Sequence, residues 1–266
     1  MKIKVITSYL ESIAPLSLQE DYDNAGFITG GEDSELTGAL ISIDCTEAVV
    51  DEAIATNCNL IISHHPIIFS GLKKITGLTY VERVILKAIK NNISIYAIHT
   101  NLDNVPVGVN KMICDKLGLS NCKILSEKKN HALSSSKKKV GSGMVGVLQK
   151  PMSEIDFLNK VKKIMKVGSL RYTPLLGKKV GKVAVCGGSG SFLLEDAIAS
   201  GADVFVTSDF KYHQFFDADN QIVVIDIGHY ESEQYTKELI RDLLKQKFPI
   251  FVPRLTKINT NPVNYL

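Results

Sequence analysis

Leu60-Ile61-Ile62-Ser63-His64-His65-Pro66 is the stretch on which the fold turns. Its apolar run is bounded by turn residues and is too short for a buried helix, so it reads as a buried strand with imidazoles at its carboxyl end. On the amino-terminal side, Leu40-Ile41-Ser42-Ile43 predicts another strand, with a helix from Thr46 to Thr56 between the two. On the other side a helix from Tyr80 to Asn91 leads to a strand over Ile93 to Ile98. Strands separated by helices need crossover connections, which predicts an α/β class with largely parallel sheets. Upstream, Val5, Ile6, Tyr9, Leu10 and Ile13 share one helical face that Pro15 closes, and the polar turn Asp21 to Gly26 precedes Phe27-Ile28-Thr29.

The grammar then repeats. Met144 to Leu148 reads as a strand, Ser153 to Val167 as a helix with Ser153 as N-cap, and Lys182 to Cys186, Val204 to Val206 and Ile222 to Ile227 as strands. A helix from about Ser232 to Lys247 completes the series. At a shift of 144, Ala53-Ile54-Ala55-Thr56 faces Ala197-Ile198-Ala199-Ser200, Asn59 faces Asp203, and Ser63 faces Thr207. At a shift of 130, His99 faces His229 and Asp103 faces Glu233. These matches predict two similar α/β domains related by internal duplication, over 1–126 and 127–266. The polar stretch from Ser126 to Gly143, with Ser134-Ser135-Ser136 among Lys128, Lys129, Lys137, Lys138 and Lys139, joins them as an exposed loop or hairpin tip.

Totals narrow the function classes. A chain of 266 residues, 45% hydrophobic and 22% charged, carries a net charge of +3, too mild for tracking nucleic-acid phosphates. Cysteines 45, 58, 114, 122 and 186 include no C-x-x-C, which argues against both a disulfide framework and a thiolate zinc site. No stretch approaches about 18 consecutive apolar residues and the amino terminus lacks an apolar leader, so the reading is a soluble cytoplasmic protein with no membrane partner.

Four of the six histidines sit at three strand ends, as His64-His65, His99 and His229. Ligands in parallel α/β sheets gather beyond the carboxyl ends of strands, where loops present side chains to a crevice. His64, His65, Asp103, His229 and Glu233 are therefore candidate metal ligands: imidazole suits borderline cations, and a carboxylate can bridge two of them. Glu233 lies one helical turn beyond His229, on the same face if the segment is helical. His99 and His213 are candidate proton carriers. Asp44 and Thr46 follow a strand, and Thr46 is equally readable as a helix cap. Gly187-Gly188-Ser189-Gly190-Ser191 fits a tight turn better than a phosphate cradle, having neither the lysine of a P-loop nor a G-x-G-x-x-G pattern.

Together, Tyr22-Asp23-Asn24-Ala25-Gly26, Ser63-His64-His65-Pro66, His99-Thr100-Asn101-Leu102-Asp103, Gly187-Gly188-Ser189-Gly190 and Gly228-His229-Tyr230-Glu231-Ser232-Glu233 resemble the Nif-three-like dinuclear-metal-centre family, the GTP cyclohydrolase 1 type 2 homologues, nearly end to end. The resemblance implies that His64, His65, Asp103, His229 and Glu233 hold two divalent metal ions, of Fe, Zn, Mn or Co, with the carboxylates as bridges. It leaves His99 outside that set. It further implies a toroidal homohexamer, and a small-molecule substrate that the family name makes GTP, opened at the purine C8. Tyr22 stands where many relatives have Trp, and the middle of the chain leaves no room for the extra domain some relatives carry.

Metal-dependent hydrolysis is the leading expectation. A phosphoester hydrolase, a metal-delivery protein without turnover and a metal-tied scaffold are the rivals, because kinship alone fixes no substrate.

Overall fold

The computed structural model describes residues 1–128 and 139–266. Ser134-Ser135-Ser136, Lys129, Lys137 and Lys138 lie outside the described residues. The chain forms two compact units. The first takes in Met1–Leu102 and Thr236–Pro262, the second Asp103–Tyr235 and Val263–Leu266.

In the first unit, α1 (Ile3–Ile13) buries Ile3, Ile6 and Leu10 along one face. Strands β1 (Gly26–Thr29), β2 (Ala39–Ser42), β3 (Leu60–Ser63) and β4 (Ser94–Ala97) follow. The last three are parallel in the spatial order β4-β3-β2, and β1 runs antiparallel to β4. Every residue of β2, β3 and β4 is buried, as expected of a sheet covered on both faces. The crossovers carry α2 (Glu47–Ala55) and α3 (Tyr80–Lys90). Thr46 caps α2 by accepting from Val49 N at 3.3 Å, and Thr79 caps α3 by accepting from Glu82 N at 3.3 Å. Val49, Val50, Ala53, Val84, Ile85 and Ala88 from these helices pack with Leu40, Ile61 and Ile95 of the sheet. The short α4 (Thr100–Asp103) follows β4.

The second unit begins with α5 (Val109–Leu117) and the antiparallel pair β5 (Leu119–Glu127) and β6 (Gly141–Ser153). After α6 (Glu154–Ile164) and the edge strand β7 (Arg171–Tyr172) come β8 (Lys179–Ser189), α7 (Leu194–Ala199), β9 (Val204–Ser208) and β10 (Val223–Asp226). Here β8, β9 and β10 are the parallel core, with β6 antiparallel on one side and β7 antiparallel on the other.

The internal likeness extends to register. Ala39 pairs with Leu60, and Val183, 144 positions beyond Ala39, pairs with Val204, 144 positions beyond Leu60. Both parallel cores end in a strand carrying a short antiparallel partner, β1 on β4 and β7 on β10.

The single helix expected from Ser232 to Lys247 is two helices, α8 (His229–Glu233) and α9 (Thr236–Lys247). Side chains anchor the break: Gln234 Nε2 donates to Met165 O at 2.7 Å, and the Tyr235 hydroxyl to Ile164 O at 2.6 Å. Beyond α9, β11 (Arg254–Leu255) adds in parallel to the free side of β2 and completes the first sheet. Among the described residues no helix is long and apolar enough to cross a membrane, and all five cysteines are free thiols.

Candidate metal centre

In the first unit, His64 and His65 follow β3 directly and His99 follows β4. One donor atom from each lies within 4.8 Å of the other two. Each ring is fixed through Nδ1: that of His64 meets Ile98 O at 2.8 Å, that of His65 meets Asp44 Oδ1 at 2.8 Å, and that of His99 meets Asp23 Oδ1 at 2.7 Å. The carboxylates are anchored in turn. Asp44 Oδ2 accepts from the Thr260 hydroxyl at 2.6 Å, while Asp23 Oδ2 accepts from Thr100 N at 3.1 Å and from the Thr100 hydroxyl. An oxygen acceptor at Nδ1 places the proton there in a neutral imidazole, so Nε2 carries the lone pair a cation needs. Adjacent side chains diverge while a strand remains extended. His64 and His65 lie past the end of β3, and their ring centroids are 5.0 Å apart at a tilt of 41°.

Asp23 has consequences for stability. Burial acts to raise its pKa, but the hydrogen bond and charge of His99, with the Thr100 bonds, hold it down at about 2 from an ordinary 3.8. A depressed folded pKa stabilises above the ordinary value and loses that contribution as pH falls through the folded one. In metal-free protein, the thermal midpoint of Asp23→Asn should therefore lie below that of the wild type at neutral pH. The gap should close between about pH 4 and pH 2; a gap that stays constant down to pH 2 would refute this role.

The second unit holds another donor group. His229 opens α8 and Glu233 closes it, with His229 Nε2 3.2 Å from Glu233 Oε2, the one-turn relation that the spacing predicts. His229 Nδ1 meets Asp209 Oδ2 at 2.7 Å, and Asp209 also accepts from the Ser189 hydroxyl. Asp103, the last residue of α4, shares the neighbourhood of Glu233: the Cys186 thiol is pushed far up by burial and then by both carboxylates.

Burial alone would lower the pKa of His229, but the Glu233 charge and the Asp209 bond prevail and raise it to about 11. In metal-free protein at neutral pH this imidazole is thus a cation, and the stability it contributes is complete below the ordinary 6.5 and is lost progressively as pH rises toward about 11. A metal must displace that proton. Titration calorimetry in buffers of different ionisation enthalpy should show proton release on metal binding. Affinity should rise from pH 6 to pH 8 by up to about tenfold per unit for each proton displaced; a pH-independent affinity would exclude His229 as a donor.

The glycine-rich segment serves this group. Gly188 has φ +64°, and a Cβ there would press into the Glu233 carboxylate. Gly188 N donates to Ser232 Oγ at 2.8 Å and Gly187 N to Asn110 Oδ1 at 3.0 Å, so these amides hold protein side chains. His213 belongs to neither donor group; it is exposed on the 3-10 helix Tyr212–Ala218, edge to face with Tyr212 at a centroid distance of 5.2 Å.

Sequence reasoning missed Asp209 as the partner of His229. The signal was present, because the 144-residue shift that aligns the strands places Asp209 opposite His65. Asp23 is a similar omission as the partner of His99, although it lies within a motif singled out in the sequence.

Imidazole nitrogens with fixed Nδ1 partners, together with carboxylates, form donor sets suited to borderline divalent cations. A duplicated α/β fold with histidine and carboxylate donors at its strand ends defines a class of candidate metalloproteins. The chain belongs to the Duf34/NIF3 (NGG1p interacting factor 3) family, whose model matches residues 1–262. It is 40% identical over 234 residues, covering 88% of this chain and 85% of the relative, to a GTP cyclohydrolase 1 type 2 homolog of Clostridium acetobutylicum. A protein of the same name from Campylobacter jejuni is 33% identical over the full length of both chains. Among solved structures, a Bacillus cereus protein related to NIF3 superimposes with a TM-score of 0.92 at 27% identity, over 100% of this chain and 99% of that one.

Proposed function

We propose that this protein is a metal-dependent hydrolase of a small molecule, with two divalent cations, of Fe, Zn, Mn or Co, held by His64, His65, Asp103, His229 and Glu233. The observation that carries the reading is the arrangement of His64, His65 and His99, each of which commits Nδ1 to an oxygen and presents Nε2, beside His229, which holds Asp209 on Nδ1 and Glu233 on Nε2. Such cations, when bound, lower the pKa of water and polarise an electrophile. His99, held by Asp23 through Nδ1, gives and receives a proton at Nε2. His213 is the weaker candidate for that task, being exposed among aromatic rings. A nucleotide is the first substrate to test, because GTP stands in the name of the relatives. The reading includes a toroidal homohexamer in the cytoplasm, which sedimentation and localisation would check.

Elemental analysis of protein purified without added metal gives the identity and number of ions. Assays with Fe²⁺, Mn²⁺, Zn²⁺ or Co²⁺ against GTP and a phosphoester panel should then show turnover that His229→Ala reduces by at least about a hundredfold. No turnover with any cation, alongside reversible metal exchange, would replace the hydrolase with a metal-delivery protein.

A further inference from the structure

A cavity of about 500 Å³ lies within the second unit, between the edge strand β7 with its continuation Thr173-Pro174 and the 3-10 helix Tyr212–Ala218. Its volume falls in the range of small-molecule sites. Tyr172, Tyr212, Phe215 and Phe216 supply ring surface, and Tyr212 and Phe216 are 72% and 66% exposed, a large apolar display to water. Tyr212 and Phe216 meet edge to face with centroids 5.6 Å apart, which braces the outer wall.

Arg171 gives the cavity its charge. Nη2 donates to Phe210 O at 3.0 Å and to the buried Asp226 carboxylate, and the guanidinium carbon sits 5.3 Å from the centroid of the Phe215 ring. Both hydrogen bonds use Nη2. Among the described residues the Nε and Nη1 hydrogens have no partner, and the side chain is 59% exposed. A guanidinium fixed from behind, with N–H groups left over beside aromatic rings, matches a carboxylate, sulfonate or phosphate on a flat ring system. Among the described residues that line the cavity, Arg171 is the one cationic side chain and Asp219 the one carboxylate.

We infer that this cavity is a binding site for a planar aromatic acid, its rings against Tyr212, Phe215 and Phe216 and its anionic group on Arg171. Asp226 links Arg171 to the neighbours of the second donor group. Asp226 receives Arg171, Phe210 N at 3.0 Å and Gly228 N at 3.1 Å, and Asp209 and His229 are the residues next to Phe210 and Gly228. The inference requires no bound metal and stands or falls separately from the hydrolase reading.

The test uses the full chain treated with a chelator, and 2-naphthoate as the probe. The protein has no Trp, so naphthalene fluorescence reports binding with little protein background. The expected result is that 2-naphthoate binds at least about tenfold tighter than 2-naphthylmethylammonium, and that Tyr212→Ala and Phe216→Ala each weaken it about tenfold. Leu78→Ala, an exposed apolar position of the first unit, should bind like the wild type. Equal affinity for the acid and the amine, wild-type affinity in both ring variants, or no binding at millimolar naphthoate would each overturn the inference. Should naphthoate fail to bind while Phe216→Asp reduces the mass in sedimentation, the occupant is a second copy of the chain and the small-molecule site is refuted.

Discussion

Gly188→Ala should destabilise the protein by about 3 kcal/mol and abolish metal uptake by the second donor group. Gly188 sits at φ +64°, where an L side chain is strained, and the new methyl would fall inside contact distance of Glu233 Oε1 and 3.4 Å from His229 Cε1. Glu233 cannot retreat freely, because it is 2% exposed on a five-residue helix whose Ser232 hydroxyl already accepts from Gly188 N. One methyl group thus strains the backbone and moves a donor together. Urea unfolding of chelator-treated protein reads the first effect, and metal stoichiometry after reconstitution reads the second. Wild-type values for both would show that the close approach of Gly188 to Glu233 is not needed.

His64→Ala is the second change with a large expected effect. The imidazole is fully buried and gives its Nδ1 hydrogen to Ile98 O, so its removal leaves a cavity and a buried carbonyl without its donor. The expected destabilisation is about 3 kcal/mol, with metal affinity down by at least about a hundredfold. His65→Ala provides the comparison. That side chain is 14% exposed and its Asp44 partner is 34% exposed, so the stability loss should be smaller while the metal loss is similar. Full metal content in both variants would remove the first donor group from the proposal.

The strands β2, β3 and β4 could be read from the sequence because each carries three consecutive apolar residues with a serine at one end, and burial on both faces favours such runs. The His229–Glu233 relation could be read because helical spacing is local. What escaped was non-local or weakly patterned. Helix α5 mixes Asn110, Lys111 and Asp115 with its apolar face, and β5 alternates too unevenly to stand out. The two-residue strands β7 and β11 exist only through their partners. Asp23, Asp44 and Asp209 look like ordinary turn acids, and only three-dimensional placement makes them anchors for His99, His65 and His229.

The Thr260–Asp44 hydrogen bond spans 216 residues and bears on biosynthesis. A nascent chain that has emerged through α4 already carries His64, His65 and His99, yet β2 still presents an open edge and Asp44 lacks the hydroxyl that steadies it. Contacts of such high sequence separation form late. During translation the histidines therefore precede the residue that fixes Asp44 behind His65, so Thr260 must emerge before the first donor group is fully ordered.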